Sequence, residues 1–203
     1  MKIAIIGATG NVGSRLVQEA LDRHHAVTAI SRHTKKLAPR TGMSEAQGDV
    51  SKPDELVPLL KGHDVIVSAL RFHGTDTHHL MDAVHRSEVK RYLVVGGAAS
   101  LEIAPGQTLL NAPDFPAAYK AEATAAKAFL DMLRNVQDLD WTYLSPSAFF
   151  GPGKRTGHFR LGDNNLLTAP DGKSSISYED YAVAMLDEIE NPKHSRRRFT
   201  VGY

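Results

Sequence analysis

Gly7-Ala8-Thr9-Gly10-Asn11-Val12-Gly13 is the stretch whose reading decides the fold. It follows Lys2-Ile3-Ala4-Ile5-Ile6, an apolar run that reads as a buried strand. It opens Asn11 to Arg23, where Val12, Leu16, Val17, Ala20 and Leu21 fall on one helical face. A strand, a glycine turn and a helix in that order form a phosphate cradle. The missing Cβ atoms let the backbone approach a diphosphate, and the helix N-terminus offers unsatisfied N–H groups and a positive dipole end. The motif in this context predicts dinucleotide binding by Gly7, Thr9, Gly10, Asn11, Val12 and Gly13.

Strand and helix patterns alternate outward from the loop. His25 to Ser31 and, more weakly, Ser44 to Gly48 read as the second and third strands. Ser51-Lys52-Pro53 reads as a helix start with Ser51 as N-cap. Asp64 to Ala69 is a fourth strand, Thr77 to Ser87 a helix, Arg91 to Gly96 a fifth strand, Ala117 to Leu133 a long helix and Asp140 to Leu144 a sixth strand. This pattern predicts an α/β fold, a doubly wound parallel sheet covered on both faces and joined by right-handed crossovers. From Ser147 onward the chain is rich in glycine. Residues 147–176 read as a small C-terminal substrate cap on a single domain spanning 1–203. Ser177-Tyr178-Glu179-Asp180 resembles a capping box before a helix from Tyr178 to Glu190, and Arg198 to Gly202 reads as a closing strand.

Composition excludes several classes. The 203 residues carry a net charge of +1, which gives no electrostatic reason to expect nucleic acid or an anionic membrane as partner. No run is apolar for long enough to span a bilayer. The absence of cysteine removes disulfides, thiolate metal sites and cysteine nucleophiles. The first strand begins at once, which leaves no room for a signal peptide and suggests a cytoplasmic protein, monomer or homodimer, acting on a small molecule.

The end of the second strand bears on which dinucleotide binds. An acidic residue there usually holds the ribose 2′-hydroxyl of NAD. This chain reads Ser31-Arg32-His33, followed by Lys35 and Lys36. Arg32 can grip a 2′-phosphate through two bonds and Ser31 can donate to it, so NADP(H) is preferred over NAD(H). Asp49, followed by Val50, suits a hydrogen bond to the adenine amino group or the capping of the next segment. Ser68, Ala69 and Leu70 end strand four beside the expected groove.

The chain resembles the atypical short-chain dehydrogenase/reductase group that contains the NAD(P)H-binding proteins provisionally named NADH-flavin reductases, relatives of biliverdin reductase B and of the NmrA-like proteins. The matching pieces are Gly7-Ala8-Thr9-Gly10-Asn11-Val12-Gly13, Val94-Val95-Gly96-Gly97-Ala98-Ala99-Ser100, Gly151-Pro152-Gly153-Lys154-Arg155-Thr156-Gly157 and Ser175-Ile176-Ser177-Tyr178-Glu179-Asp180-Tyr181-Ala182. The resemblance implies a Rossmann fold, binding of NADPH or NADH, and reduction of a flavin or similar conjugated acceptor.

The wider superfamily commonly uses a Tyr-x-x-x-Lys pair, in which lysine lowers the tyrosine pKa for proton exchange. None of the six tyrosines here has a lysine four residues later, and Tyr119 is followed by Ala123 at that position. Hydride transfer to a flavin asks less, since solvent can supply the proton. Ser100 and Tyr119 are the catalytic candidates. Ser100 could face the nicotinamide or cap a turn, and Tyr119 could orient substrate or lie at the core margin. His73, Phe149, Arg155 and His158 are substrate candidates, with Phe150 beside them. The bland alternatives are surface histidines, core packing and a solvated arginine. His78, His79, Asp82 and His85 have helical spacing suited to a metal but read as a solvated face, and Arg196-Arg197-Arg198 is a short basic run. The reading is an NADPH-dependent reductase of a flavin, quinone or similar small conjugated acceptor. A non-catalytic NADP(H)-binding redox sensor of NmrA type and a carbonyl reductase with an atypical proton donor stay open.

Overall fold

A computed structural model describes residues 1–33 and 38–203. Strand β1 (Lys2–Ile6) leads into α1 (Asn11–Asp22), β2 (Ala26–Ser31), β3 (Met43–Gln47), α2 (Pro53–Leu60), β4 (Val65–Ser68), α3 (Thr77–Arg86) and β5 (Arg91–Val95). Two short strands, β6 (Glu102–Ala104) and β7 (Gln107–Thr108), precede α4 (Lys120–Leu133) and β8 (Asp140–Ser145). The chain ends with β9 (Phe149–Gly151), β10 (Arg160–Gly162), β11 (Ser175–Ser177), α5 (Tyr178–Glu190) and β12 (Arg197–Gly202). The main sheet has eight strands in the order β10-β12-β8-β5-β4-β1-β2-β3. Every neighbouring pair is parallel except β10 with β12. This is the doubly wound arrangement expected from the alternation, a Rossmann-type α/β fold.

Strand alternation divides the core between the two faces. Ile3, Ile5, Val65, Val67, Leu93 and Val95 pack under α1 and α5 against Leu16, Val17, Ala20, Tyr181 and Met185. Ala4, Ile6, Ile66, Tyr92 and Val94 pack on the other face against Leu56 and Leu60 of α2, Leu80 and Val84 of α3, and Phe129, Leu130 and Leu133 of α4. Burying each large apolar side chain contributes about 1.5–3 kcal/mol. Both faces being covered explains the apolar run Val65-Ile66-Val67 of β4, all of whose residues are buried, with Ser68 at its end paired to the Tyr92 hydroxyl at 2.8 Å.

Two local expectations are corrected. Ser51 does not cap α2; Lys52 occupies the N-cap position. The Asp49 carboxylate accepts from the Ser51 backbone N–H at 3.0 Å and from its hydroxyl at 2.9 Å, a local turn that competes for that side chain. Ser177 does cap α5, accepting the Asp180 N–H at 2.9 Å, but the Asp180 carboxylate does not return to the Ser177 N–H. It turns outward to Thr156, Gly157 and Tyr203, and the Tyr203 hydroxyl takes the Ser177 N–H at 3.3 Å. Among the described residues, no helix is long and apolar enough to cross a membrane.

Candidate active site

The order of strands reverses between β1 and β4, so a crevice opens at their carboxyl ends. Gly7 adopts φ +83°, and a Cβ there would lie 2.3 Å from the Ala69 carbonyl oxygen. Glycine therefore allows the turn and the loop after β4 to touch. The Gly7 N–H is spent on the Ile30 carbonyl at 2.9 Å, and Gly10 N–H closes the turn on the Gly7 carbonyl at 3.0 Å. A Cβ on Gly13 would sit 2.1 Å from the same Gly7 oxygen, so glycine there sets the separation of α1 from the turn. Gly10 stands at the N-cap of α1, which therefore has no side chain capping it and, among the described residues, no acidic residue in its first turn. Its N–H groups and dipole face the crevice uncompensated, which is the donor set a diphosphate requires.

The crevice is a cavity of about 910 Å³. Thr9, Gly10, Asn11 and Val12 line one part, with Ala69 and Leu70 from the end of β4 and Gly96 to Ala99 from the end of β5. Phe115, Pro116 and Tyr119 line another, with Phe150 and Tyr178 on a further wall. Phe150 and Tyr178 meet edge to face, ring centroids 4.8 Å apart. Gly96 admits the Tyr143 ring beneath the floor, because a Cβ there would lie 2.1 Å from that ring. The Tyr143 hydroxyl accepts the Gly97 N–H at 2.9 Å and donates to the Ala126 carbonyl at 3.3 Å. Burial pushes the Tyr143 phenol well above its ordinary pKa, so it stays protonated as a structural strut.

The predicted residues divide by location. Thr9, Gly10, Asn11, Val12, Ala69, Leu70 and Tyr119 line the cavity together. The Tyr119 side chain is exposed and makes no hydrogen bond among the described residues. Ser100 lies outside the lining; its hydroxyl accepts from the buried Arg198 guanidinium at 3.2 Å. Phe149 points to solvent, and its neighbour Phe150 lines the cavity instead. His73 and His158 are exposed and outside the lining. Arg155 grips the buried Glu19 carboxylate through two bonds of 2.7 and 2.8 Å. Hydrogen bonds from Arg155, the largest influence, hold the Glu19 carboxyl below its ordinary value against the opposing effect of burial.

At the end of β2, the Ser31 hydroxyl donates to the His33 carbonyl at 2.9 Å. Arg32 is exposed and its field falls on Asp49, whose pKa is lowered mainly by the Ser51 N–H and hydroxyl. Val50 is half-buried in the turn that follows and packs against the core under α2, outside the cavity lining, and Lys35 and Lys36 lie outside the described residues. The histidines read as conceivable ligands bond elsewhere: His79 to Asp76 at 3.3 Å, His85 to Asp138 at 3.4 Å. Of the basic run, Arg198 is buried and held by Asn164 at 2.8 Å.

Sequence reasoning passed over Arg71, Asp114, Phe115 and Glu122, all of which line the cavity. Arg71 directly follows Ser68-Ala69-Leu70 at the end of strand four, and that adjacency is the signal the sequence offers for it. Asp114 and Phe115 sit in Asn111-Ala-Pro-Asp-Phe-Pro116, a proline-punctuated loop with no periodicity to place it.

Residues 7–192 match the model of the NAD(P)H-binding family, and the chain belongs to that family. A Bacillus subtilis protein, the uncharacterised YwnB, is 38% identical to it, the alignment covering 99% of this chain and 98% of the relative. A crystal structure from Bacteroides thetaiotaomicron, provisionally named an epimerase, superposes with a TM-score of 0.96 at 41% identity, covering 100% of this chain and 96% of that one. A Streptococcus pneumoniae structure, provisionally named an NADH-flavin reductase, has a TM-score of 0.86 at 35% identity, covering 100% and 99%.

Proposed function

We propose that this protein is an NADPH-dependent reductase that transfers hydride to a small conjugated acceptor such as a flavin or quinone. The observation that carries this reading is the continuity of the cavity from the glycine loop to Phe115, Tyr119 and Phe150. Its volume suits a nicotinamide together with a planar second ring system. The dinucleotide, when bound, supplies the hydride. The chain's own residues bind and orient. The Thr9 to Val12 backbone holds the diphosphate, Arg32 the 2′-phosphate, Asp49 and Val50 the adenine side, and Ala69 and Leu70 flank the ring; the buried Ser31, expected to donate to the phosphate, spends its proton on the His33 carbonyl and shapes the turn that carries Arg32 instead. Aromatic walls at Phe115, Phe150 and Tyr178 favour a flat acceptor and exclude water.

The two solved relatives carry names of different activity, epimerase and flavin reductase. The residue four beyond Tyr119 is Ala123, which lines the same cavity, so no lysine stands at the position of the superfamily's Tyr-x-x-x-Lys pair. That absence supports a reaction whose proton comes from solvent. An open cavity also favours an enzyme over a redox sensor, in which this space would be plugged.

The test is oxidation of NADPH by the purified protein, offered FMN, FAD, riboflavin and quinones in turn, with NADH alongside. Saturable turnover is expected. Tight NADPH binding without turnover on any acceptor would overturn the reading in favour of the sensor. Two substitutions refine it. Arg32→Ala is expected to weaken NADPH binding by about 10- to 100-fold, the worth of a charged hydrogen-bonded pair, and NADH by less than about twofold. Equal losses for both cofactors would remove Arg32 from the 2′-phosphate. Tyr119→Phe is expected to keep kcat for FMN within about threefold, because a general acid typically contributes about 100-fold or more. A loss on that larger scale would make the phenol a proton donor.

A further inference from the structure

The wall of the cavity after β4 has a construction that neither cofactor binding nor the hydride chemistry requires. Arg71-Phe72-His73 crosses from the sheet toward α3, and α4 holds its backbone from the side. Glu122 accepts the Phe72 N–H at 2.7 Å on one carboxylate oxygen and the His73 N–H at 2.8 Å on the other. Each carboxylate oxygen therefore serves one backbone donor. The Phe72 ring is wedged between Phe129 and Tyr143, at centroid distances of 5.6 and 6.2 Å. Arg71, Phe72 and Glu122 all line the cavity, as does Tyr119 one helical turn before Glu122. The Arg71 guanidinium makes no hydrogen bond or ion pair among the described residues, although Asp114 and Glu122 line the same space. Beyond His73 the loop is open: Gly74 adopts φ +83°, and a Cβ there would meet nothing within 4 Å.

We propose that Glu122 is a positioning residue for the acceptor. By pinning two consecutive N–H groups to α4, it sets the backbone from which Arg71 and Phe72 face the cavity, and Arg71 contacts a polar group of the acceptor. This rests on the reductase reading above. A carboxylate is suited to the task because it offers two acceptor oxygens to two donors. Glutamine keeps the length but turns an NH₂ group toward one of the N–H donors, losing one bond. Alanine loses both.

The experiment compares wild type with Glu122→Gln, Glu122→Ala, Arg71→Ala and the double alanine variant. It measures KM and kcat for FMN at saturating NADPH, the Kd for NADPH by fluorescence, and the melting temperature. The FMN KM is expected to rise about tenfold in Glu122→Ala and about threefold in Glu122→Gln, with kcat and NADPH Kd within about twofold of wild type. The double variant is expected to show far less than the product of the single effects, because both changes remove one presented group. An unchanged FMN KM in Glu122→Ala, or an NADPH Kd that weakens as much as the KM, overturns the proposal. Wild-type protein that reduces no acceptor overturns the reductase reading instead. Titration of FMN into the NADP⁺-loaded protein, followed by flavin fluorescence, then reads the pocket without turnover. The same order of Kd values sustains Glu122 as a positioning residue, and absent or equal FMN binding overturns it.

Discussion

Replacing Gly13 with alanine is expected to lower NADPH affinity by about 100-fold or more and to destabilise the fold by roughly 3 kcal/mol, the upper range for overpacking a tight contact. The added Cβ would lie 2.1 Å from the Gly7 oxygen, 2.9 Å from the Gly7 carbonyl carbon and 3.0 Å from the Ala8 Cα. All three are backbone atoms, so no side chain can swing aside. Either α1 moves away from the sheet or the turn opens, and opening the turn breaks the bond from the Gly10 N–H to the Gly7 carbonyl. Either movement displaces the N–H groups of the first helical turn from a diphosphate. Gly10 separates the two effects. Its φ of −74° is ordinary for any residue, and a Cβ there would meet the Gly7 oxygen at 3.2 Å, a contact that a small shift relieves. It lines the cavity, however, and a methyl group there intrudes on the diphosphate position. Gly10→Ala is therefore expected to melt within about 3 °C of wild type and to bind NADPH at least about tenfold more weakly. Fluorescence titration and thermal unfolding of both variants check this. Wild-type NADPH affinity in Gly13→Ala would show that the turn does not position the cofactor.

What the chain declares about itself follows the range of its contacts. The glycine turn, the apolar strands and the amphipathic helices are local patterns, and Ile6, Gly7 and Leu16 carry their meaning within a few residues. The parallel, doubly wound sheet was accessible because strands and helices alternate, whereas the strand order and the antiparallel β10 at its edge emerge only from the folded chain. The cavity lining was accessible where it sits at strand ends, as at Thr9, Ala69 and Leu70, and hidden where it depends on distant partners. Ser100 stands after β5 like a catalytic hydroxyl, but Arg198, 98 residues later, engages it. Arg155 lies in a glycine-rich segment that reads as part of a cap, but its partner Glu19 is 136 residues earlier. Nothing in the spacing of either pair points from one to the other. The loop from Asn111 to Pro116 fills a cavity wall through tertiary packing alone, so neither period nor propensity marks it.

The segment around Gly151 to Gly157 carries the second large effect, and Asp180 is its centre. This carboxylate is fully buried and accepts from the Thr156 N–H at 2.7 Å, the Gly157 N–H at 2.8 Å, the Tyr203 hydroxyl at 2.7 Å and the Thr156 hydroxyl. It ties the glycine-rich strap and Tyr203, just beyond β12, to the first turn of α5. Asp180→Ala strands two backbone donors and is expected to cost roughly 3 kcal/mol, seen as a fall of about 10 °C in melting temperature for a chain of this size. Asp180→Asn keeps one acceptor oxygen, and the two hydroxyls can rotate to accept from its NH₂, so a loss of about half that is expected. Arg155→Ala, from the same strap, is expected to cost only about 1 kcal/mol, because Arg155 is half exposed and Glu19 retains its bond to Arg23 at 2.9 Å. Acid adds a second signature. Burial, the largest single influence, raises the Asp180 pKa, but the combined bonds from Thr156, Gly157 and Tyr203 bring it below its ordinary value. A carboxyl whose folded pKa is depressed gives stability that is fully present above its unfolded value, about 3.9, and lost as pH falls through the folded value. The stability difference between wild type and Asp180→Asn is therefore expected to be constant from neutral pH down to about 5 and to shrink below about 4. Urea unfolding of both proteins across that range measures it. A difference that grows on acidification would mean that Asp180 is held neutral in the native protein, and a melting temperature in Asp180→Ala within about 2 °C of wild type would mean that the strap does not bear on the fold.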